Sequence, residues 1–342
     1  MNAAAPTPGI FDALPGIEVP VSSIGPGLAS MWEGEASSGR PAPEGDISKA
    51  TQVNFILHLG LRTDAEDAVR QFEVAVRFSR RYPCRVVVLC PRTDDAGEVR
   101  AKVYGECAIG KSKEDTRCCE FVMLSYPRWA RPFLESQVSI CLTSDLPLYY
   151  WAHRFQDTAR LADYHYLLSH AKRVIVDSAL VSPGAPPLPW PQPENVRDLA
   201  YARLLPVRQT IGQFLSRYPT GVLGPGLRSV RMGHGPGAAA EARVLFAWAR
   251  ERVDACGAAG EAGELEELPG AGPRALELSF AYADSRRFSW RADLDSCHSV
   301  FDADFSGDRT VMTTSVCTLA QEEALSEAMF FQVEPYPALR SA

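Results

Sequence analysis

The stretch that most resembles prepared chemistry is Gly105-Glu106-Cys107-Ala108-Ile109-Gly110-Lys111-Ser112, which fits the phosphate-loop form G-x-x-x-x-G-K-[ST]. In a working phosphate loop the backbone amides cradle phosphates, the lysine reaches the outer phosphates and the hydroxyl holds magnesium. Val174-Ile175-Val176-Asp177 would supply the companion strand ending in an aspartate. A nucleotide-binding enzyme built on Gly105–Ser112 is therefore one reading. The surroundings oppose it, because such a loop must open a helix whose N-terminus faces the phosphates. Cys118-Cys119-Glu120-Phe121-Val122-Met123-Leu124 follows instead and reads as a strand. The preceding Val99 to Tyr104 alternates with Arg100 and Lys102, unlike a buried parallel strand. A hairpin turn at Gly110 to Lys113 is the alternative that fits these neighbours.

The remaining reactive side chains form no familiar constellation. Nine cysteines occur without a C-x-x-C pair. Cys84 and Cys90 lie six positions apart on one strand, roughly 20 Å at the strand rise, too far to bridge. Buried thiols behave as small apolar residues, and a pair formed across elements among Cys107, Cys118 and Cys119 is the redox alternative. His165 and His170 are five apart, which does not put them on one helical face for a shared metal. No zinc spacing and no G-x-S-x-G elbow occur, so neither metal nor cofactor is expected. Gly233-His234-Gly235-Pro236-Gly237 is not G-x-G-x-x-G and reads as a loop or, alternatively, a phosphate nest. Arg77, Arg80, Arg81 and Arg85 gather where a helix should end, favourable for its dipole, with an anion or partner patch as the other reading.

The elements that would position these residues fall into two groups. Gln52 to Gly60 reads as a buried strand, Thr63 to Arg81 as an amphipathic helix opened by a Thr63–Glu66 capping box, and Cys84 to Cys90 as a core strand. This strand–helix–strand opening implies a right-handed crossover and a partly parallel sheet. Strands over Glu98 to Glu106, Arg117 to Leu124, Leu146 to Ala152 and Arg173 to Asp177, with helices over Pro127 to Ser139 and Thr158 to His170, continue an α/β pattern. Six prolines within Ser182 to Pro193 mark a stiff linker. Beyond it, helices over Asn195 to Arg217, divided at Pro206, and Ala238 to Val253 precede four strand-like runs from Ala275 to Cys317 and a closing helix, Leu319 to Met329. Gly257 to Gly272 reads as a surface loop. The expected fold is thus a mixed-sheet α/β domain over 51–181, a linker over 182–194, and a smaller α+β domain with antiparallel strands over 195–335. Residues 1–50, rich in Ala, Pro, Gly and Ser around Met31-Trp32, read as a loosely ordered arm.

Composition narrows the function classes. The 342 residues are 46% apolar and 23% charged, ordinary for a globular protein of about two domains. The net charge of -7 argues against a general nucleic-acid binder. It is concentrated: from Arg250 onward 17 acidic residues meet 8 basic ones, either a solvated face or a field that steers a basic partner. No run approaches the length of a membrane span, and Met1 to Gly25 lacks a signal-peptide pattern, so a cytoplasmic protein with free thiols is expected.

Several stretches, taken in order, resemble the OpcA family. They are Arg81-Tyr82-Pro83-Cys84-Arg85-Val86-Val87, Cys119-Glu120-Phe121-Val122-Met123-Leu124 and Ser144-Asp145-Leu146-Pro147-Leu148-Tyr149-Tyr150-Trp151. Arg197-Asp198-Leu199-Ala200-Tyr201-Ala202-Arg203-Leu204 and Leu245-Phe246-Ala247-Trp248 extend the likeness to about residues 50 to 335. Tyr149-Tyr150 departs from a more aliphatic stretch in the family, and the N-terminal arm and Pro-rich linker have no counterpart. The resemblance implies a bacterial, non-catalytic factor that binds glucose-6-phosphate dehydrogenase and supports its active oligomer in the oxidative pentose phosphate pathway. A thiol redox switch acting on a partner enzyme is a further alternative. For partner contact the loop Asp145-Leu146-Pro147 with Tyr149, Tyr150 and Trp151 is the expectation, since loops on rigid scaffolds carry function and aromatics anchor interfaces. The competing reading of those aromatics is core packing.

Overall fold

The computed structural model describes residues 9–37, 51–109, 116–155, 158–181, 188–258 and 262–333. The chain forms two units, Met1–Arg197 with Ala328–Phe331, and Asp198–Glu327 with Gln332–Ala342. The α/β first part and the α+β second part with mostly antiparallel strands follow the expected classes.

In the first unit, α1 (Ile10–Ala13), β1 (Ile17–Val19) and α2 (Ile24–Ser37) come before the expected α/β pattern begins. The described part of the supposed arm is therefore ordered structure, which corrects that expectation. Residues 1–8 and 38–50 lie outside the described residues. The cause is local: α2 buries Ile24, Leu28 and Trp32 at i, i+4 and i+8, one helical stripe. β2 (Val53–Leu59), α3 (Ala65–Arg81) and β3 (Cys84–Pro91) then make the crossover unit, with β2 and β3 parallel. α3 is capped by Asp64, whose side chain accepts the Asp67 amide at 2.8 Å, rather than by Thr63. Thr63 instead closes the preceding turn through its amide to the Gly60 carbonyl.

The sheet continues through β4 (Arg100–Ile109), β5 (Thr116–Tyr126), α4 (Leu134–Cys141), β6 (Leu148–His153), α5 (His165–His170), β7 (Ala171–Val176) and β8 (Val196–Asp198). Its order is β1-β4-β5-β3-β2-β6-β7-β8, with β5, β3, β2, β6 and β7 parallel and β4 antiparallel to β1 and β5. The interior strands β2, β3 and β6 are buried on both faces, as parallel strands between two covered faces must be. The helices expected over 127–139 and 158–170 begin as 3₁₀ turns, at Arg128–Phe133 and Thr158–Tyr164. Of the linker, Pro183, Pro186 and Pro187 lie outside the described residues.

The second unit opens with α6 (Leu199–Arg203), α7 (Leu205–Leu215) and α8 (Thr220–Leu223). Pro206 sits in the first turn of α7, where no amide is needed. β9 (Leu227–His234), α9 (Ala239–Ala255) and β10 (Ala262–Glu267) follow, with β9 and β10 parallel. β9 was not foreseen, and β10 replaces most of the expected surface loop. Every residue of β10 is exposed, so no apolar alternation announces it. β11 (Ala275–Tyr282), β12 (Arg287–Asp293), β13 (His298–Asp304) and β14 (Thr310–Ser315) complete a sheet ordered β10-β9-β11-β12-β13-β14. α10 (Gln321–Ser326) and a π turn, Glu327–Phe331, close the described chain. The core face carries Leu278, Phe288, Trp290 and Phe301 against Ile211, Phe214 and Leu245.

Candidate interaction surface

The phosphate-loop pattern resolves into a strand. Gly105 to Ile109 is the end of β4, paired residue by residue with β5, and Ile109 faces Thr116. Gly110, Lys111 and Ser112 lie outside the described residues. The next described element is β5, so among the described residues no helix opens after the pattern. Gly105 has a packing reason instead: a Cβ there would fall inside the side chains of Met31 and Trp32. Asp177 accepts the Ala179 amide at 3.0 Å and caps a short 3₁₀ turn.

Gly233–Gly237 does follow a strand and precede the long helix α9, contrary to the sequence reading. Its amides are nevertheless committed. Gly235 donates to Ala275 O at 2.9 Å, Gly237 to Pro273 O at 2.8 Å and Ala238 to Gly235 O at 3.1 Å. Glu241, 2% exposed in the first turn of α9, takes the Arg274 guanidinium at 3.1 Å.

The cysteines divide. Cys107 and Cys118 face each other in the β4–β5 ladder, Cα atoms 4.0 Å apart, and form a disulfide; Cys297 and Cys317 form a second. This corrects the expectation of free thiols throughout. Cys119, the third redox candidate, points to the opposite face from Cys118 and remains a buried thiol, its Sγ 3.1 Å from the Ser79 carbonyl. Burial pushes its pKa up. Among the described residues no group of His, Cys, Asp or Glu is arranged to hold a metal.

His58 and His153 of the first unit are buried in hydrogen-bonded settings. His58 shares a hydrogen bond with the Tyr150 hydroxyl through Nδ1, while the Tyr126 hydroxyl lies 3.3 Å from Nε2. Burial, then the charge of Arg131, lowers its pKa to about 3. His153 donates to Asp67 at 2.8 Å, and Arg154 and Gln71 complete the shell of that carboxylate. Burial alone would raise the Asp67 pKa, but these three hydrogen bonds hold it well below the usual carboxylate range.

Of the expected partner residues, the structure separates loop from strand. Tyr149, Tyr150 and Trp151 are buried in β6, which runs between β2 and β7 with both faces covered. Tyr149 packs edge-on to Phe330, and Trp151 stacks on Phe55 with centroids 6.4 Å apart. The core reading of these aromatics holds, and their role as surface anchors is corrected. Asp145 is exposed, and Leu146 and Pro147 are half-buried. Their loop is held from below by Asn54, a buried polar residue that the sequence reading passed over. Its amide group donates to Thr143 O at 2.7 Å and Leu146 O at 3.1 Å, and its oxygen accepts the Thr143 amide at 3.0 Å.

Directly before this loop lies a surface the sequence did not single out. A cleft of about 740 Å³ opens between α2 and α4. Its floor is Arg85 of β3 with Glu120 and Val122 of β5, one wall is Leu28 and Trp32, and the other is Ile140 and Cys141. Glu120 is used on both oxygens: Arg85 donates to Oε2 at 2.6 and 3.1 Å, and the Trp32 indole to Oε1 at 3.0 Å. The polar floor is thereby fixed before anything docks. α4 buries Leu134, Val138 and Cys141 on one stripe, while Ile140 of α4 and Phe133, the last residue of the 3₁₀ turn before it, are exposed. Phe133 is 64% and Ile140 77% exposed, and Trp129, in the same 3₁₀ turn as Phe133, is 50% exposed. Ile140 lines the cleft, and exposed large apolar side chains that form a contiguous patch are a feature of interaction surfaces. The spacing of Trp129, Phe133 and Ile140 was visible in the sequence, but it is equally the spacing of core residues.

Residues 75–187 match the family model described as the glucose-6-phosphate dehydrogenase subunit N-terminal domain, OpcA type. The chain is also 31% identical over 139 residues to a protein of Synechocystis sp. named OxPP cycle protein OpcA, and 30% identical over 106 residues to one of that name in Nostoc punctiforme. Over residues 75–187 the chain is thus similar to the OpcA family. The alignments cover 39% and 31% of this chain but only 29% and 23% of those relatives, so the chain spans less than a third of the length of the curated relatives it matches. The OpcA match contains the cleft floor, all of α4 and the Asp145–Pro147 loop; α2 lies outside it. Among solved structures, the 3-ketoreductase KijD10 of Actinomadura kijaniata aligns over 82% of this chain and 88% of its own, at 11% identity and a TM-score of 0.40, too distant to bear on fold or function. Among the described residues no helix is long and apolar enough to cross a membrane.

Proposed function

We propose that this chain is a non-catalytic assembly factor of the oxidative pentose phosphate pathway, working in the cytoplasm, that binds glucose-6-phosphate dehydrogenase and favours its active oligomer. The observation that carries the reading is the placement of the family match. The matched residues supply the floor and one wall of the α2–α4 cleft and the exposed Trp129, Phe133 and Ile140. The loop Asp145-Leu146-Pro147, which follows α4 in the chain and is held by Asn54, is the second element we assign to the contact. Apolar anchors beside a polar floor already paired within the chain give a partner contact without leaving a charge unpaired. An activator need only bind the active state of the dehydrogenase more tightly than the inactive state. A tenfold preference shifts that equilibrium by about 1.4 kcal/mol.

The test is to mix the chain with the dehydrogenase of its host and follow sedimentation together with NADPH formation. Co-migration with a raised rate supports the proposal. Independent migration with an unchanged rate refutes it, and ATP hydrolysis by the chain alone would return the argument to the nucleotide reading. The Cys107–Cys118 pair favours a second, compatible reading, a thiol switch on the same interaction. It requires that reductant change the affinity for the dehydrogenase, and that Cys107→Ser remove the response.

A further inference from the structure

The six-stranded sheet of the second unit ends in β10 and β14, neither of which has an outer strand partner among the described residues. An open edge carries a row of free amides and carbonyls, and proteins usually blunt it with lysines, prolines, bulges or inward charges. β14, Thr310-Val311-Met312-Thr313-Thr314-Ser315, has none of these devices. It is uncharged, contains no proline and pairs with β13 in unbroken register. Val311 is 58% exposed, and Thr313 and Ser315 point to the same open side. The Cys297–Cys317 disulfide ties the chain just beyond β14 to the β12–β13 turn, so the strand end is held in place.

We infer that β14 is a self-association edge: two copies of this chain pair antiparallel through β14, giving one continuous sheet of twelve strands. The choice of a second copy rests on charge. A two-fold antiparallel pairing that keeps both sheets facing the same way sets residues of like parity opposite each other. Centred on Thr313, it places Thr313 against its own copy, Val311 against Ser315, and Met312 against Thr314. The first charges outside the strand, Arg309 and Asp308, then oppose Cys317 and Thr318 rather than each other. The other edge behaves oppositely. β10 is Ala262-Gly263-Glu264-Leu265-Glu266-Glu267, and pairing it with its own copy centred on Leu265 sets Glu264 against Glu266. Like charges directly opposed disfavour a strand pair, so the same sheet has one edge that self-pairing tolerates and one that repels it. Six residues form a short ladder, so the dimer should be weak and concentration-dependent.

The experiment is analytical ultracentrifugation of the full chain across a wide concentration series. The mass is expected to rise from one chain towards two. Val311→Lys with Thr313→Lys puts lysine opposite lysine whether the pairing centres on residue 312 or 313, and should hold the chain at one-chain mass with an unchanged Tm. Mixing that variant in equal amount with a Val311→Glu, Thr313→Glu variant should restore the two-chain species, which neither forms alone. One-chain mass at every concentration overturns the inference. So does a dimer that survives the lysine variant, or a mixture that stays monomeric. None of these outcomes depends on whether the chain binds the dehydrogenase.

Discussion

Replacing Asn54 by alanine removes three hydrogen bonds to the loop that carries Asp145. In the native protein the buried amide of Asn54, 2% exposed, bonds Thr143 O, Leu146 O and the Thr143 amide at 2.7, 3.1 and 3.0 Å. Each backbone group left without a partner costs about 1 to 3 kcal/mol when water cannot reach it. The loop lies half at the surface, so water recovers part of the loss, and a net cost of about 3 kcal/mol is the working figure. That cost should be paid locally, by loosening residues 142–147 ahead of the strand they precede. Hydrogen exchange reads this directly: the Thr143 amide should lose protection by roughly a hundredfold, since about 2.7 kcal/mol is a factor of 100. Core amides of β2 and β3 should lose far less. Affinity for the dehydrogenase should fall in parallel if the loop belongs to the docking face. Unchanged protection at Thr143 would refute the reasoning, as would a loss spread evenly over the whole first unit.

Gly105→Val should release α2, because the added side chain must displace Met31 and Trp32; Trp32 emission should shift red while β3 amides stay protected, and an unshifted spectrum would contradict the packing account. Stability should fall as pH drops from about 6.5 towards 3, because His58 stays neutral in the fold, its pKa about 3, while the unfolded chain takes up a proton near 6.5. His153 is shifted in the same direction, chiefly by burial, so His58→Gln should flatten the slope in part, and an unaltered slope on acid titration of Tm would count against burial as the cause. Asp67 is depressed, so its stabilisation is present above about pH 4 and is lost only at lower pH. Cys297→Ser opens a loop closed across 20 residues and should cost the second unit about 3 kcal/mol, read as a lower urea midpoint that reductant then leaves unchanged.

The sequence carried the strand–helix–strand opening because β2, α3 and β3 have undiluted periodicity, and it carried the hairpin reading of the phosphate-loop pattern through the apolar run after it. It failed where composition hid a partner. Residues 10–37 are rich in small residues, but Ile24, Leu28 and Trp32 make a buried stripe, and Lys102 turns inward to donate to Phe11 O and Leu14 O at 2.7 and 2.9 Å. An alternating Arg100-Ala101-Lys102-Val103 stretch looks like a wet face unless the covering segment is known. β10 was hidden because an exposed edge strand has no apolar side. The aromatic trio of β6 misled because large aromatics are equally suited to a core and to an interface, and only the strand order places β6 between β2 and β7. The proposed docking face was missed for the converse reason: Phe133 and Ile140 have the spacing of core residues, and their exposure appears only once the packing of Leu134 and Val138 has set the orientation of α4.

The most direct test of the proposed docking face is a titration of glucose-6-phosphate dehydrogenase with the Phe133→Ser, Ile140→Asp variant beside the native chain. Both side chains are exposed, so the variant should keep its Tm within a degree or two, and truncating exposed apolar anchors should weaken binding by tenfold or more, about 1.4 kcal/mol and upward. A folded variant that binds and activates the dehydrogenase as well as the native chain does would place the contact elsewhere and contradict the account.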